Sequence, residues 1–192
     1  MRATGLASLC FFYFDFRDDQ KKGLGPLLSS LLVQLCGHSD AAYYSILSNF
    51  YSAHDSGEQQ ASDSELLQCL KQMLLLPKPP TVYVVIDALD ECPTTTGLPS
   101  PREEVLGLVK ELVGLQIPKL RICVTSRPEA DVEPVLGPLA FRSVSLHGES
   151  GQVHDIEEYV KFVVNTDPKM RRWRVVDKEL VIESLTQRAD GM

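Results

Sequence analysis

Residues Thr81 to Ile86 read TVYVVI, a run of β-formers with no polar interruption that stops abruptly at Asp87. Such a run predicts a strand buried on both faces, and strands of that kind belong to parallel sheets covered by crossover helices. Pro77, Pro79 and Pro80 separate it from the preceding helical stretch. Ligands in open parallel sheets bind at the carboxyl ends of the strands, so the residues following Ile86 are the first place to look for chemistry.

The rest of the chain supplies the alternation that a parallel sheet needs. Cys10 to Phe16 (CFFYFDF) is short and aromatic and predicts a strand. Leu24 to Cys36 repeats leucine at helical spacing, Ala41 to Ala53 does so more weakly, and Ser62 to Leu76 opens with a capping-box spacing between Ser62 and Glu65. After Asp87, Ser100-Pro101-Arg102-Glu103 combines an N-cap, an N1 proline and an N3 acid, predicting a helix to Gln116. Lys119 to Thr125 predicts a third strand, Ala130 to Leu136 a short helix, and Phe141 to Leu146 (FRSVSL) a fourth strand. Helices over Gln152 to Val164 and Asp177 to Arg188 follow. The pattern is α/β, with a largely parallel sheet flanked by helices and a C-terminal helical extension.

With 192 residues, 44% apolar and 23% charged, the chain can bury a core, which excludes a disordered or collagen-like protein. A formal charge of -7 gives no global basic field for nucleic acid or an anionic membrane. Five widely spaced cysteines without a C-x-x-C pair read as buried thiols of a reducing compartment. The N-terminal apolar patch, Leu6 to Phe14, meets charge at Asp15 and has no cleavage site, and no apolar run spans a bilayer. A cytoplasmic protein is expected. The four histidines share no metal-ligand spacing.

Asp87, Asp90 and Glu91 crowd three carboxylates at the end of the strand. A hydrated Mg²⁺ bridging nucleotide phosphates would balance that charge, with Asp87 as the metal-side acid and Asp90 or Glu91 orienting an attacking water. A solvated acidic turn is the other reading. Thr125-Ser126-Arg127-Pro128-Glu129 ends the next strand, where Arg127 could pair with a terminal phosphate. Ser126 and Glu129 also have capping-box spacing, which would leave Arg127 a loop charge. The basic cluster Lys169 to Arg174, with Trp173, reads as a solvated face.

VYVVIDALDEC resembles the extended Walker B motif of the NACHT subgroup of STAND P-loop NTPases, and RICVTSRPE resembles their sensor 1 strand and arginine. The similarity is closest to fungal NACHT proteins and to nephrocystin 3-like N-terminal NTPase domains. It implies Asp87 as the Mg²⁺ acid, Asp90 and Glu91 as hydrolysis-associated acids, and Arg127 as the sensor. Intact relatives would hold Mg²⁺ and ATP or GTP and act as nucleotide-controlled switches in signalling or innate immunity, with protein partners or self-association. The chain departs from the pattern in one respect, because G-x-x-x-x-G-K-[ST], whose amides and lysine cradle phosphates, is absent.

The resemblance therefore implies a partial NTPase core over residues 1–148, lacking its first strand and phosphate loop, and a truncated helical subdomain over 149–192. It also implies a sheet of order 5-1-4-3-2, so loss of strand 1 would take its neighbour from the strand Phe141 to Leu146 and open an edge on the strand Lys119 to Thr125 unless those two pair directly. Weak or no ATP binding is expected of this chain. The rival reading is a non-enzymatic interaction module on a degenerate NTPase scaffold. A metal-dependent hydrolase using Asp87, Asp90 and Glu91 alone ranks last, because no further ligand cluster accompanies them.

Overall fold

A computed structural model of the protein describes residues 7–37, 41–54, 57–77, 80–95, 97–145 and 150–188. Its contacts divide the chain into two units, residues 1–140 and 141–192. The first unit contains a parallel sheet of three strands, β1 (Ala7–Tyr13), β2 (Thr81–Asp87) and β3 (Leu120–Val124), in the order β1-β2-β3. Between β1 and β2 come α1 (Leu24–Cys36), α2 (Ala41–Ala53) and α3 (Asp63–Leu74); α4 (Pro101–Gly114) joins β2 to β3, and the short α5 (Glu133–Leu136) follows. In the second unit, α6 (Ser150–Thr166) packs against α7 (Val175–Arg188).

Register fixes which side chains share a face. Ser8, Cys10 and Phe12 lie beside Val82, Val84 and Ile86, and these six are buried. Onto them pack the leucines of α1, Leu70 and Met73 of α3, and Val105 and Val109 of α4, forming the main core cluster. Each helix contributes because its apolar residues recur at i, i+3 and i+4.

The opposite face is bare. Leu9, Phe11 and Tyr13 on β1 are 37%, 48% and 46% exposed, Tyr83 on β2 is 42% exposed, and Cys123 on β3 is exposed. The expectation that Thr81–Ile86 is buried on both faces is therefore corrected. No described element of the first unit lies over Tyr83, so the alternating burial of β2 reflects one covered face only.

The two sheet edges also differ. At β1, the Gln34 side chain accepts a hydrogen bond from the Phe11 N–H (3.0 Å) and donates to the Phe11 carbonyl (2.7 Å), satisfying both groups as a neighbouring strand would. A bond from Gln34 Nε2 to Ser30 Oγ (2.9 Å) steadies the amide. The outer edge of β3 carries no partner strand among the described residues. On β3, Arg121 donates to the Leu120 and Pro118 carbonyls (2.8 Å each).

The fourth strand predicted over Phe141 to Leu146 does not form over its described residues, Phe141 to Ser145. Phe141 to Ser145 is exposed and joins no ladder, and Leu146 lies outside the described residues. A strand-like alternation needs a neighbour to bond with, and the sheet stops at β3. The first strand also begins earlier than predicted, because Ala7, Ser8 and Leu9 pair with Thr81, Val82 and Tyr83.

Both predicted capping boxes are present. Ser100 Oγ accepts from the Glu103 N–H (3.3 Å) while Glu103 accepts from the Ser100 N–H (2.8 Å), which holds the Glu103 carboxyl below its ordinary range. Ser100→Ala is expected to destabilise the chain by about 1 kcal/mol, read as a lowered urea midpoint at unchanged slope.

Candidate functional site at the strand ends

β2 is central in the sheet, so its C-terminal residue is flanked by both neighbours. Asp87 accepts a hydrogen bond from the Thr125 hydroxyl, and that same hydroxyl accepts from the Ala88 N–H (3.0 Å). Backbone bonds tie the ends together: Thr125 N–H to the Ile86 carbonyl (2.9 Å), Leu89 N–H to the Thr125 carbonyl (3.0 Å) and Phe14 N–H to the Asp87 carbonyl (3.0 Å). Ala88 has φ 54°, in the left-handed region, and its small side chain keeps the steric cost of that turn low. The chain then makes a single 3₁₀ turn, Leu89–Glu91, anchored by the buried Leu89.

The predicted residues take separate partners. Asp90 accepts from the Arg127 N–H (3.1 Å) and lies 3.4 Å from Arg127 Nε, so the arginine meets the second acid, whereas strand adjacency alone predicts it beside Asp87. The Asp90 side chain is 11% exposed and the Arg127 side chain 75%, so the pair joins a buried carboxylate to a guanidinium that solvent reaches. Glu91 points elsewhere and accepts from the Phe16 N–H (3.4 Å). Among the described residues, no group of three or more His, Cys, Asp or Glu is arranged to hold a metal ion. The three-carboxylate hydrolase consequently has no geometric support.

Two contributors escaped the sequence reading. Thr125 binds Asp87 from the end of β3. Arg102, in the first turn of α4 and only 7% exposed, donates through Nε to the Cys92 carbonyl (3.0 Å), through Nη2 to the Asp90 carbonyl, and through Nη1 to Asp131 (3.2 Å). Its capping-box neighbours advertise a helix start, which hides this role.

The described donors fit a nucleotide in part. Asp87 suits a hydrated Mg²⁺, which needs only one or two protein carboxylates, and Arg127 suits phosphate oxygen. A glycine-rich cradle of amides with its lysine is missing, so no hydrolytic step can be derived from these residues. A groove of about 980 Å³ between β1 and α1 includes Tyr13, Lys21, Gly25 and Gln34 but none of the four predicted site residues.

None of the five cysteines forms a disulfide. Burial pushes the Cys92 thiol up to about 12, and burial together with the neighbouring Cys36 pushes Cys69 up to about 11. Cys123 departs from the expected burial, because it stands on the bare face. In the basic cluster, Arg174 pairs with Asp177 (2.8 Å) and Trp173 is 43% exposed, a solvated surface as expected. His38 and His147 lie outside the described residues. Among the described residues, no helix is long and apolar enough to cross a membrane.

The family model described as nephrocystin 3, N-terminal, matches residues 1–127, about two thirds of the chain, from ahead of β1 through Arg127. No curated protein and no solved structure matches.

Proposed function

The chain belongs to the nephrocystin 3 N-terminal family, and from that premise we propose that it is the metal- and sensor-bearing part of a NACHT-type nucleotide-binding domain, in a STAND switch protein of signalling or innate-immunity type. Asp87 is the Mg²⁺ acid, Asp90 is the hydrolysis-associated acid, with Glu91 turned toward the Phe16 N–H, and Arg127 senses the terminal phosphate. In the whole switch, the nucleotide's terminal phosphate biases the equilibrium between two conformations. This chain has no phosphate cradle of its own among the described residues and does not turn over nucleotide alone.

One observation carries the reading: the sheet is unfinished on one face and at one edge, and a single missing unit accounts for both. The connections β1 to β2 and β2 to β3 advance in one direction and lay their helices on one face, as right-handed crossovers do. A βα unit whose strand pairs with β3 and whose helix returns to β1 runs the other way. The same handedness then puts its helix over Leu9, Phe11, Tyr13 and Tyr83. In the order 5-1-4-3-2 the strand beside strand 4 is strand 1, the strand that leads into a phosphate loop, and β1-β2-β3 correspond to strands 2, 3 and 4. A phosphate loop carried by that unit would open beside Asp87 and Arg127, at the carboxyl rim.

The bare face also favours a second reading, a protein-interaction module without nucleotide chemistry. Titration calorimetry separates the two. The chain is expected to show no micromolar binding of Mg-ATP or Mg-GTP, and the same chain joined to a βα unit with G-x-x-x-x-G-K-[ST] ahead of β1 is expected to bind one of them, losing it with Asp87→Asn. Micromolar binding by the chain as it stands, or none by a folded extended chain, overturns the proposal.

A further inference from the structure

We infer that Arg102 is a positioning residue that locks Asp90 and Arg127 into one mechanical unit with the Glu129–Asp131 segment. The inference takes its functional meaning from the nucleotide-facing roles proposed for Asp90 and Arg127, but its geometry stands without them.

Arg102 occupies an unfavourable place for a cation. It is buried in the first turn of α4, where the helix dipole presents its positive end and where Glu103 and Glu104 are the expected residue types. A buried guanidinium there is tolerable only if its donors are satisfied by charge and carbonyl oxygen. Three segments supply these. The Cys92 carbonyl takes Nε, the Asp90 carbonyl takes Nη2, and Asp131 takes Nη1 through both oxygens (3.2 and 3.3 Å), with Glu129 at 3.9 Å.

The contacts close a ring. Arg102 grips the backbone of Asp90, the Asp90 carboxylate grips the backbone and side chain of Arg127, and two residues later the same loop returns through Glu129 and Asp131 to Arg102. An acid on the turn after β2 and an arginine on the loop after β3 are thereby held at one separation by a residue that itself faces neither solvent nor ligand. A pull on Arg127 by an anion would be felt at Asp131 through Arg102. Lysine cannot replace it, because an ammonium lacks the planar fork that reaches two carbonyls and a carboxylate at once.

The test uses the full chain without nucleotide, so its outcome is independent of whether the proposed nucleotide binding holds. Hydrogen exchange is read at the Arg127 amide, which donates to Asp90, with the Val84 amide in the centre of the sheet as the internal reference. The ¹⁵N shift of Arg127 Nε reports the side-chain contact. Arg102→Lys is expected to speed exchange at Arg127 by about tenfold or more relative to Val84 and to move the Nε signal toward that of a free arginine. Asp131→Asn, a milder cut in the same ring, is expected to give a smaller change of the same sign. An Arg102→Lys chain that is folded and leaves both Arg127 signals unchanged, or that speeds Arg127 and Val84 by the same factor, overturns the inference and leaves Arg102 a core staple. If Arg102→Lys does not fold, Asp131→Asn decides: unchanged Arg127 exchange in that variant is equally fatal.

Discussion

Phe12→Ala is expected to destabilise the chain by about 3–5 kcal/mol, while Phe11→Thr, one residue earlier on the same strand, costs less than about 1 kcal/mol and reduces self-association. Phe12 is 8% exposed and packs edge-on against Phe14 at a centroid distance of 5.0 Å, so its removal leaves a cavity in the core. The Phe11 ring stands on the bare face, and the Gln34 clamp at this residue engages only backbone atoms. The contrast is large because a strand alternates faces residue by residue and only one face of this sheet is covered. Urea denaturation measures the stability difference, and sedimentation velocity measures the association. Equal stability losses for the two variants would mean that the outer face is packed in solution, contrary to the structure.

Iodoacetamide is expected to alkylate Cys123 first, with Cys10 and Cys92 slower by a factor on the order of a thousand or more. The exposed thiol reacts from the native state. The buried ones wait for opening, and an opening free energy of about 4 kcal/mol already gives that ratio. Burial also keeps Cys92 protonated, since its pKa is pushed up to about 12, and the thiolate is the reactive form. Cys123 shares its face with Phe11 and Val85, so it reports on whatever covers that face. Joining the proposed βα unit ahead of β1 should slow its alkylation toward the rate of Cys10. Mass spectrometry of a time course gives each rate. Slow labelling of Cys123 in the chain alone would contradict the open face.

What could be read in advance was what local chemistry determines. The run Thr81–Ile86, the leucine spacing of α1, and the Ser62 and Ser100 capping boxes each encode their element within a few residues, and all are present. The parallel sheet follows from their alternation. What depends on a distant partner was not legible. Thr81–Ile86 has the same composition whether one face or two are covered, because β-propensity reports fitness for a pleated surface and not what lies above it. Phe141 to Ser145 alternates as a strand would, yet pairing requires a neighbour. Arg102 looks like a charge on the first turn of a surface helix, and only the return of the chain at Asp131 turns it inward. Gln34 reads as a polar position on an amphipathic helix until β1 is found beside it. At the rim, strand order put Asp87 beside Arg127, whereas the pairing of Arg127 with Asp90 and the divergence of Glu91 toward Phe16 depend on the turn at Ala88.

The Gln34 clamp gives the sheet a direction of growth. An amide that already holds the donor and acceptor of Phe11 leaves an incoming strand nothing to bond at the middle of that edge, so extension is easier from β3. Two copies meeting through their β3 edges would be related by a two-fold axis, each presenting the same surface to the other, and both outward ends of the joined sheet would be clamped. The Gln34 clamp thus biases edge-to-edge association of this chain toward a pair through β3, an asymmetry set by one glutamine on a helix rather than by any residue of the sheet.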